Sequence, residues 1–456
     1  MSVRPVDAVI FHAKRWHARA LALFAASSLS LALASQAQAG MITDCSHLPD
    51  FEGADVTTLV LQYQYAGRPD APLSEAARSL SLLIQLDSLL TQLKYRNIGV
   101  AFVQVDPYAP TPCSPERLAQ RMREHLPSGR GVVILSGRLF EVEDRLYLQS
   151  SMLFLRKDVP ETLTPPGNSD LSEGARFVAR LPQTPVVFVP RLLLKEDLAA
   201  IDEQFRKAMV VRDSPSYDAS GRSLELGGDT PFAYTVIGQQ ESWMRIRPFQ
   251  GYPGPEGWIN FGDETVHADL HRLLPELDYL DATVAYLQSR IHGPQSEAPS
   301  AGRLLAWSQA KFTRFAEITG RGGGANADRA AAGIGLGMIG ILQMERNGWA
   351  EQPAGANPFA AMVAAMPSNA DARNLASLVD IYNCCLAEAG GGKPEAAERS
   401  LLDALSVDPA NGAVLANLKS FYLRLQNRAE LRWPALSDDV LARRLKAVET
   451  VQQAQQ

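Results

Sequence analysis

Residues 210–261 read VVRDSPSYDASGRSLELGGDTPFAYTVIGQQESWMRIRPFQGYPGPEGWINF, and this stretch decides how the rest of the chain is interpreted. Aromatic or aliphatic residues alternate here with polar or small ones, for example Phe232, Tyr234 and Val236 with their neighbours. A period of two residues is typical of half-buried β-strands. Glycines and prolines interrupt the stretch at the spacing of turns. About five short strands in about fifty residues predict a small β-barrel.

The same stretch resembles a bacterial SH3-type domain. The residues that carry the resemblance are the VRDSPS opening at 211–216, Gly228-Asp229-Thr230-Pro231 before the strand that starts at Phe232, Trp243 with Arg245 and Ile246, and the closing Gly257-Trp258-Ile259. The resemblance implies an SH3-like β-barrel over residues 210–262, a module that binds a ligand and carries no catalytic group.

Aromatic residues near the barrel loops are the candidate ligand-binding residues, because such residues commonly form the ligand groove of SH3-like domains. They are Tyr252, Trp243 and Trp258. Tyr252 lies in a loop of glycines and prolines and has little reason to be buried, so a glycan or peptide could stack on it. For Trp258, on the last strand, a place in the core is the favoured alternative.

The amino terminus has the order of a secretory signal peptide. Four basic residues precede an apolar run at 20–34, and Ala37 and Ala39 provide a small-x-small cleavage pattern. We therefore predict a signal peptide over 1–39 and a periplasmic or secreted location, with a retained anchor as the alternative. No later stretch is apolar over the length of a membrane helix, so no transmembrane span is expected in the mature chain.

The composition is that of an ordinary globular protein, with 46% hydrophobic and 21% charged residues. Loss of residues 1–39 removes four Lys or Arg and one Asp, which changes the net charge from −6 to −9. A chain this acidic has no general attraction for nucleic acid or anionic lipid, so nucleic acid is not expected as a partner.

Export makes disulfides possible, and four cysteines allow three complete pairings. We favour Cys45 with Cys113, because both are predicted to lie in loops of one domain. Cys384 and Cys385 are neighbours on a predicted helix, where their side chains point apart, so free buried thiols are expected there.

The region 43–190 has the order strand, helix, strand, helix, hairpin, which is typical of an α/β module. Residues 55–156 resemble the small α/β module at the front of the Tol-system propeller protein and in FlgO- and CsgG-type envelope proteins. Ser136-Gly137 followed by the charged turn Glu143-Asp144-Arg145 carries this resemblance. The module is used for docking and assembly, so the resemblance implies a binding role and transfers no catalytic residue.

The remaining regions are helical: a linker helix at 191–209, a connector at 265–300 and helical hairpins at 301–456. Residues 370–430 resemble a tetratricopeptide repeat through Ala397, Leu401, Ala404, Pro409, Leu415, Asn417, Leu418 and Tyr422. Lys419 departs from the repeat, which has a small residue there. The expected fold class is a multidomain α+β protein with an α/β module, an SH3-like barrel and an all-α repeat-type carboxyl-terminal region that binds proteins.

Two motifs are candidates for chemistry, and both have a structural explanation. Residues 335–340 fit GxGxxG but follow a helical pattern instead of a strand, so close helix packing is the favoured interpretation. His267 and His271 have the i, i+4 spacing of metal ligands, yet two surface histidines are the more common arrangement. We expect no catalytic site, no metal and no cofactor.

These observations predict an exported, non-enzymatic cell-envelope protein that acts as a binding or assembly scaffold. Envelope proteins are the expected partners, and peptidoglycan is a further candidate ligand. The alternative is an envelope hydrolase whose catalytic residues are not recognisable in a single sequence. A resemblance of folds is only an analogy where function is concerned, so the function has to follow from the residues of the binding site.

Overall fold

The computed structural model describes eighteen parts of the chain, namely Cys45, 54–66, 72–91, 98–103, 113–157, 161–167, 176–182, 185–208, 210–223, 232–241, 243–248, 254–260, 270–292, 299–320, 326–346, Trp349, 357–387 and 392–454. The predicted signal peptide at 1–39, the predicted ligand-binding residue Tyr252 and the candidate metal ligand His267 lie outside these residues.

The strands, in chain order, are β1 (Val56–Leu61), β2 (Gln64–Tyr65), β3 (Ile98–Val103), β4 (Gly131–Val142), β5 (Arg145–Arg156), β6 (Thr162–Leu163), β7 (Ala179–Arg180), β8 (Val186–Val187), β9 (Arg191–Leu193), β10 (Val210–Arg212), β11 (Gly221–Ser223), β12 (Phe232–Gln240), β13 (Trp243–Pro248) and β14 (Gly257–Asn260). The helices are α1 (Pro72–Thr91), α2 (Pro115–His125), α3 (Lys195–Ala208), α4 (Glu276–His292), α5 (Pro299–Gly320), α6 (Asn326–Arg346), α7 (Ala360–Ala365), α8 (Ala370–Ile381), α9 (Pro394–Val407), α10 (Gly412–Asn427) and α11 (Asp438–Gln453). No helix of the described chain is both long and apolar enough to cross a membrane.

The fold is mixed α/β and is organised by one large sheet with the strand order β11–β10–β14–β13–β12–β3–β1–β4–β5–β8. β1 lies between β3 and β4 and is parallel to both, as the strand–helix–strand order predicts. The side chain of Ser114 caps the start of α2, where it accepts a hydrogen bond from the Arg117 N–H. The hairpin turn lies at Glu143 and Asp144 as predicted, both with positive φ.

The strands expected to form an SH3-like barrel over 210–262 join this sheet. Residues Phe232 to Tyr234 of β12 pair antiparallel with β3, and β11 pairs only with β10 among the described residues. No closed barrel is found in the described part of the chain. Without β12, strand β3 would be the edge of the sheet, with unpaired backbone N–H and C=O groups. Pairing with β12 provides hydrogen-bond partners for these groups of β3.

The sheet has an inner face covered by helices and an outer face covered only in its middle. Strand register places on the inner face, against α1, α3 and α4, the buried residues Val60, Val100, Tyr234, Ile246, Ile259 and Val211. On the outer face α2 covers the central strands through Leu118 and Met122, which contact Leu59, Val132 and Ile134 in a second core. Among the described residues no helix covers the two flanks of this outer face.

A disulfide between Cys45 and Cys113, the favoured pair, lies in the outer core beside the first residue of α2. We expect peptide mapping without reductant to recover the two cysteine peptides as one linked species. Free thiols at both positions in protein purified without reductant would contradict this assignment.

Cys384 and Cys385, in contrast, are not the free thiols that the sequence predicted. They are bonded to each other, and the described chain contains no free cysteine. The prediction assumed an ordinary α-helix, but the chain changes at the end of α8 to a π-helical turn over Tyr382–Leu386. Because a π-helix has more residues per turn than an α-helix, neighbouring side chains are turned by a smaller angle, which brings these two closer together.

The carboxyl-terminal helices share one continuous apolar core with the inner face of the sheet. The repeat positions Ala397, Leu401, Ala404, Leu415 and Leu418 are all buried in it.

Hydrogen bonds also join these helices to the rest of the chain. The Asn417 carboxamide of α10 accepts from the Val178 N–H and donates to the Val178 carbonyl, both at 2.9 Å. Lys419, which departs from the repeat, lies at the rim and pairs with Glu449 at 3.0 Å. The helices therefore hold the extended segment at 176–182 of their own chain.

The glycines at 335–340 pack helices together, which confirms the structural interpretation of the GxGxxG motif. They lie within α6, and a Cβ at Gly335 or Gly340 would collide with Phe312 or Phe359. Their absence of side chains permits the close approach of α5 and α7 to α6.

Candidate binding face

The outer face of the antiparallel flank, over β10, β13 and β14, carries aromatic and arginine side chains. We define the aromatic–arginine face as Arg212, Tyr217, Trp243, Arg245, Arg247 and Trp258. Trp258 lies opposite Arg212 on one side and Arg245 on the other, so these three side chains share one face of the sheet. Trp243 and Arg247 are two residues away from Arg245 along β13 and point the same way.

Tyr217 is the exposed aromatic residue of this face. Its side chain is 60% exposed, whereas that of Trp243 beneath it is only 6% exposed. The two rings meet edge to face with their centroids 5.1 Å apart. Tyr217 therefore presents a ring to solvent on a buried indole that fixes its position.

Hydrogen bonds hold the loop that carries Tyr217. The Arg212 guanidinium donates to the carbonyls of Tyr217 at 2.7 Å and Ala219 at 2.8 Å. The same guanidinium lies 5.8 Å from the centre of the Tyr217 ring. Asp213 N–H also bonds to the Ser220 carbonyl at 3.1 Å, which closes the loop at its base. A loop ordered in this way loses little conformational entropy when a ligand binds.

The charge on this face is only partly balanced. Arg245 pairs with Glu256 at 2.8 Å, and both side chains are close to half exposed. Arg247 is exposed and pairs with no carboxylate among the described residues. An exposed guanidinium on the same face as an exposed ring can bind a ligand carboxylate through two parallel hydrogen bonds.

Comparison with known proteins does not name a ligand for this face. The chain matches no family model, no curated protein and no solved structure. The function of the face is therefore argued from its geometry.

The candidate residues from the sequence take different places from those expected. The favoured interpretation placed Trp258 in the core, but its side chain is half-buried on the outer face. Of the two tryptophans, Trp243 is the buried one. Tyr217 and Arg247 were missed. The signal for Tyr217 was present, because an aromatic residue within the polar turn SPSYDASG has as little reason to be buried as Tyr252.

His271 is not the surface histidine that the sequence predicted. It is 2% exposed and precedes α4, with Nε2 3.0 Å from Asp87 of α1 and Nδ1 3.0 Å from Asp278 of α4. Lys311 and Arg314 of α5 also pair with Asp278. Ion pairs and hydrogen bonds thus hold the helical turn before α4 against α1 and α5.

Burial by itself lowers the pKa of the His271 imidazole, but the charge of Asp87 and the hydrogen bonds to both carboxylates raise that pKa to about 10. The imidazolium has both nitrogens engaged, so it has no free nitrogen with which to act as a general base. Among the described residues no group of three or more potential ligands could hold a metal ion. This cluster is therefore assigned a role in stability.

A second buried polar group joins the sheet to α4. Glu276 accepts from Ser150 Oγ at 2.6 Å and from Arg191 Nε at 3.3 Å, and Ser150 in turn accepts from the Tyr63 hydroxyl at 3.0 Å. Burial, together with the charge of Glu276, raises the pKa of Tyr63 far above its ordinary range. Tyr63 therefore stays neutral and serves as a hydrogen-bond donor.

Proposed function

We propose that this chain is an exported, non-enzymatic scaffold of the cell envelope and that its aromatic–arginine face binds peptidoglycan. The observation that supports this proposal most is Tyr217, an exposed ring seated on Trp243, with Arg247 exposed on the same face.

Peptidoglycan fits this face by its chemistry. Its sugar rings have apolar faces that stack on an aromatic side chain, and its peptides carry carboxylates that an arginine can bind. A neutral glycan would use only the rings. The combination of ring and guanidinium favours a ligand with both sugar and carboxylate.

Export is part of the same proposal. The predicted signal peptide and the Cys45–Cys113 disulfide both suit an oxidising compartment, where the peptidoglycan lies. Amino-terminal sequencing of the envelope form should find Gly40 as its first residue, and an intact Met1 would instead indicate a retained anchor.

Tyr217→Ala should weaken sedimentation of the chain with purified sacculi by about 5–10-fold, the loss expected for one stacked aromatic ring. Arg247→Gln should weaken it by about 10-fold at low salt and by less at high salt, because salt screens an exposed charge. Leu402→Ala and Arg329→Gln are matched controls, since both residues are exposed on distant helices.

Two results would contradict the proposal. One is a wild-type chain that stays in the supernatant when sacculi are pelleted. The other is a chain that pellets equally well with both face substitutions present, because binding would then lie elsewhere on the molecule.

A further inference from the structure

The disulfide between Cys384 and Cys385 joins two neighbouring residues in the π-helical turn that follows α8. A disulfide stabilises a fold mainly because it closes a loop in the unfolded chain, and the effect grows with the length of that loop. The sequence separation is 68 for Cys45–Cys113 but 1 for Cys384–Cys385. The second bond therefore constrains the unfolded chain very little, so stabilisation of the fold does not account for it.

The π-helical winding of this turn decides which carbonyl group is available to the next helix. The Ala387 N–H donates to the Tyr382 carbonyl at 2.9 Å, which is the i→i+5 bond of a π-helix. In an α-helix the same N–H would donate to the carbonyl of Asn383. Here the Asn383 carbonyl accepts instead from the Gly392 N–H at 3.1 Å, just before α9 begins. The winding thus leaves this carbonyl available to hold the segment that leads into α9.

Two further contacts join the turn to other parts of the chain. The Cys385 carbonyl accepts a hydrogen bond from Arg424 Nε of α10 at 2.7 Å. The Tyr382 ring lies against the buried Trp349, with the ring centroids 5.2 Å apart. Single π-helical turns are rare and occur frequently at functional sites. A change of winding at this turn would therefore affect its contacts with α10 and with Trp349.

We propose that Cys384 and Cys385 form a reversible redox switch, in which a dithiol reductant opens the bond and the turn rewinds into α-helix. A thiolate of the reductant attacks one sulfur, forms a mixed disulfide and releases the other cysteine as a thiol. The second thiol of the reductant then attacks its own sulfur in the mixed disulfide and releases the first cysteine. Two electrons and two protons pass to the cysteines, and the reductant becomes a disulfide.

Rewinding follows from the geometry of the two kinds of helix. The bond holds the side chains of Cys384 and Cys385 together, whereas the larger angle between neighbours in an α-helix separates them. Once the bond is open, the α-helical winding is the more favourable one, because π-helical turns need a specific cause. The Ala387 N–H then donates to the Asn383 carbonyl and competes with the Gly392 N–H for it. Reduction thus loosens the segment before α9.

The bond can open while the protein stays folded. Its loss opens no long covalent loop, so the free energy of unfolding should change little. Cys384 and Cys385 are 4% and 5% exposed, and a reductant reaches them when this turn at the end of α8 opens locally. The switch lies in the helical region, so the proposal does not depend on what the aromatic–arginine face binds.

Stepwise reduction with dithiothreitol, applied to the full chain without the predicted signal peptide, tests the proposal. Alkylation and mass spectrometry show which cysteines are open, and circular dichroism checks the fold. We expect a folded species in which Cys384 and Cys385 are alkylated while the Cys45–Cys113 bond is intact. Without alkylation, oxidised glutathione should close the opened bond again.

Hydrogen–deuterium exchange tests the change of winding. In the reduced chain the Gly392 amide should exchange about 10-fold faster than in the oxidised chain, the change expected for the loss of one hydrogen bond. Exchange over α2, on the other side of the sheet, is the internal control and should be equal in both states. The double variant Cys384→Ser, Cys385→Ser should exchange like the reduced wild type and should not respond to dithiothreitol.

Two results would overturn the proposal. One is a Cys384–Cys385 bond that stays closed until the chain unfolds. The other is a folded chain, reduced or doubly substituted, in which the Gly392 amide exchanges as slowly as in the oxidised wild type. In that case the contacts of the turn, and not the disulfide, would maintain its winding.

Discussion

His271→Ala is expected to lower the free energy of unfolding by roughly 3–5 kcal/mol, the usual cost of removing one partner from a buried ion pair. The substitution leaves Asp87 without its imidazolium partner, and Asp87 is only 1% exposed. Asp278 keeps Lys311 and Arg314, whereas Asp87 loses the charge that faces it from His271. Urea denaturation followed by circular dichroism measures the change.

His271→Asn separates the charge from the hydrogen bonds. Asparagine can still donate to one carboxylate but carries no charge, so we expect a loss smaller than that of His271→Ala. Arg329→Gln, on the exposed side of α6, serves as the control and should change stability little. A melting curve of His271→Ala that overlies the wild type would show that the cluster does not stabilise the fold.

The same residue predicts how stability depends on pH. The pKa of His271 is about 10 in the folded chain and 6.5 ordinarily, so the folded state holds the proton more tightly. Its contribution is therefore complete below about pH 6.5 and is lost as the pH rises toward 10. Denaturation between pH 6.5 and 9.5 should show a decline in the wild type that is much weaker in His271→Ala. A decline of equal slope in both would assign it to other groups.

Gly257→Val should lower the free energy of unfolding by at least about 3 kcal/mol, by overpacking. Gly257 lies in β14, and a Cβ there would come within 2.6 Å of the Arg212 carbonyl oxygen and would also collide with Val211. Because one of these obstacles is backbone, the clash cannot be relieved without separating β14 from β10. A left-handed backbone is not the reason, since the glycines with positive φ among the described residues are Gly129, Gly167 and Gly254.

A matched glycine makes this measurement specific. Gly412 starts α10, and a Cβ on it would have nothing within 4 Å, so Gly412→Val should change stability by less than about 1 kcal/mol. Thermal unfolding of both variants gives the comparison. If Gly257→Val unfolds at the temperature of the wild type, the contact between β10 and β14 is wrongly placed.

The sequence was sufficient to predict the structure wherever the residue type and its near neighbours determine it. The cap at Ser114, the turn at Glu143 and Asp144 and the helix packing at Gly335 each follow from the residue type and its near neighbours. The pairing of β12 with β3 could not be found in this way. Alternation in Phe232 to Val236 is the same for a strand of a barrel and for a strand that extends a sheet.

The candidate site shows the same limit. The segment HADLH at 267–271 fits an exposed helix turn, and the partner that buries its last histidine, Asp87, is 184 residues away. Trp243 and Tyr217 are likewise brought together by the fold and not by their spacing. A sequence shows which aromatic residues are present, whereas the contact between the loop of Tyr217 and strand β13 decides which of the two rings is exposed.

Hydrogen–deuterium exchange with soluble peptidoglycan fragments is the most direct measurement of the proposed binding. We predict slower exchange over 212–223 and 243–248 when fragments are present, and little change in the helices over 392–454. The slowing should be absent in Tyr217→Ala. Protection confined to the helices, or none at saturating fragment, would contradict binding at the aromatic–arginine face.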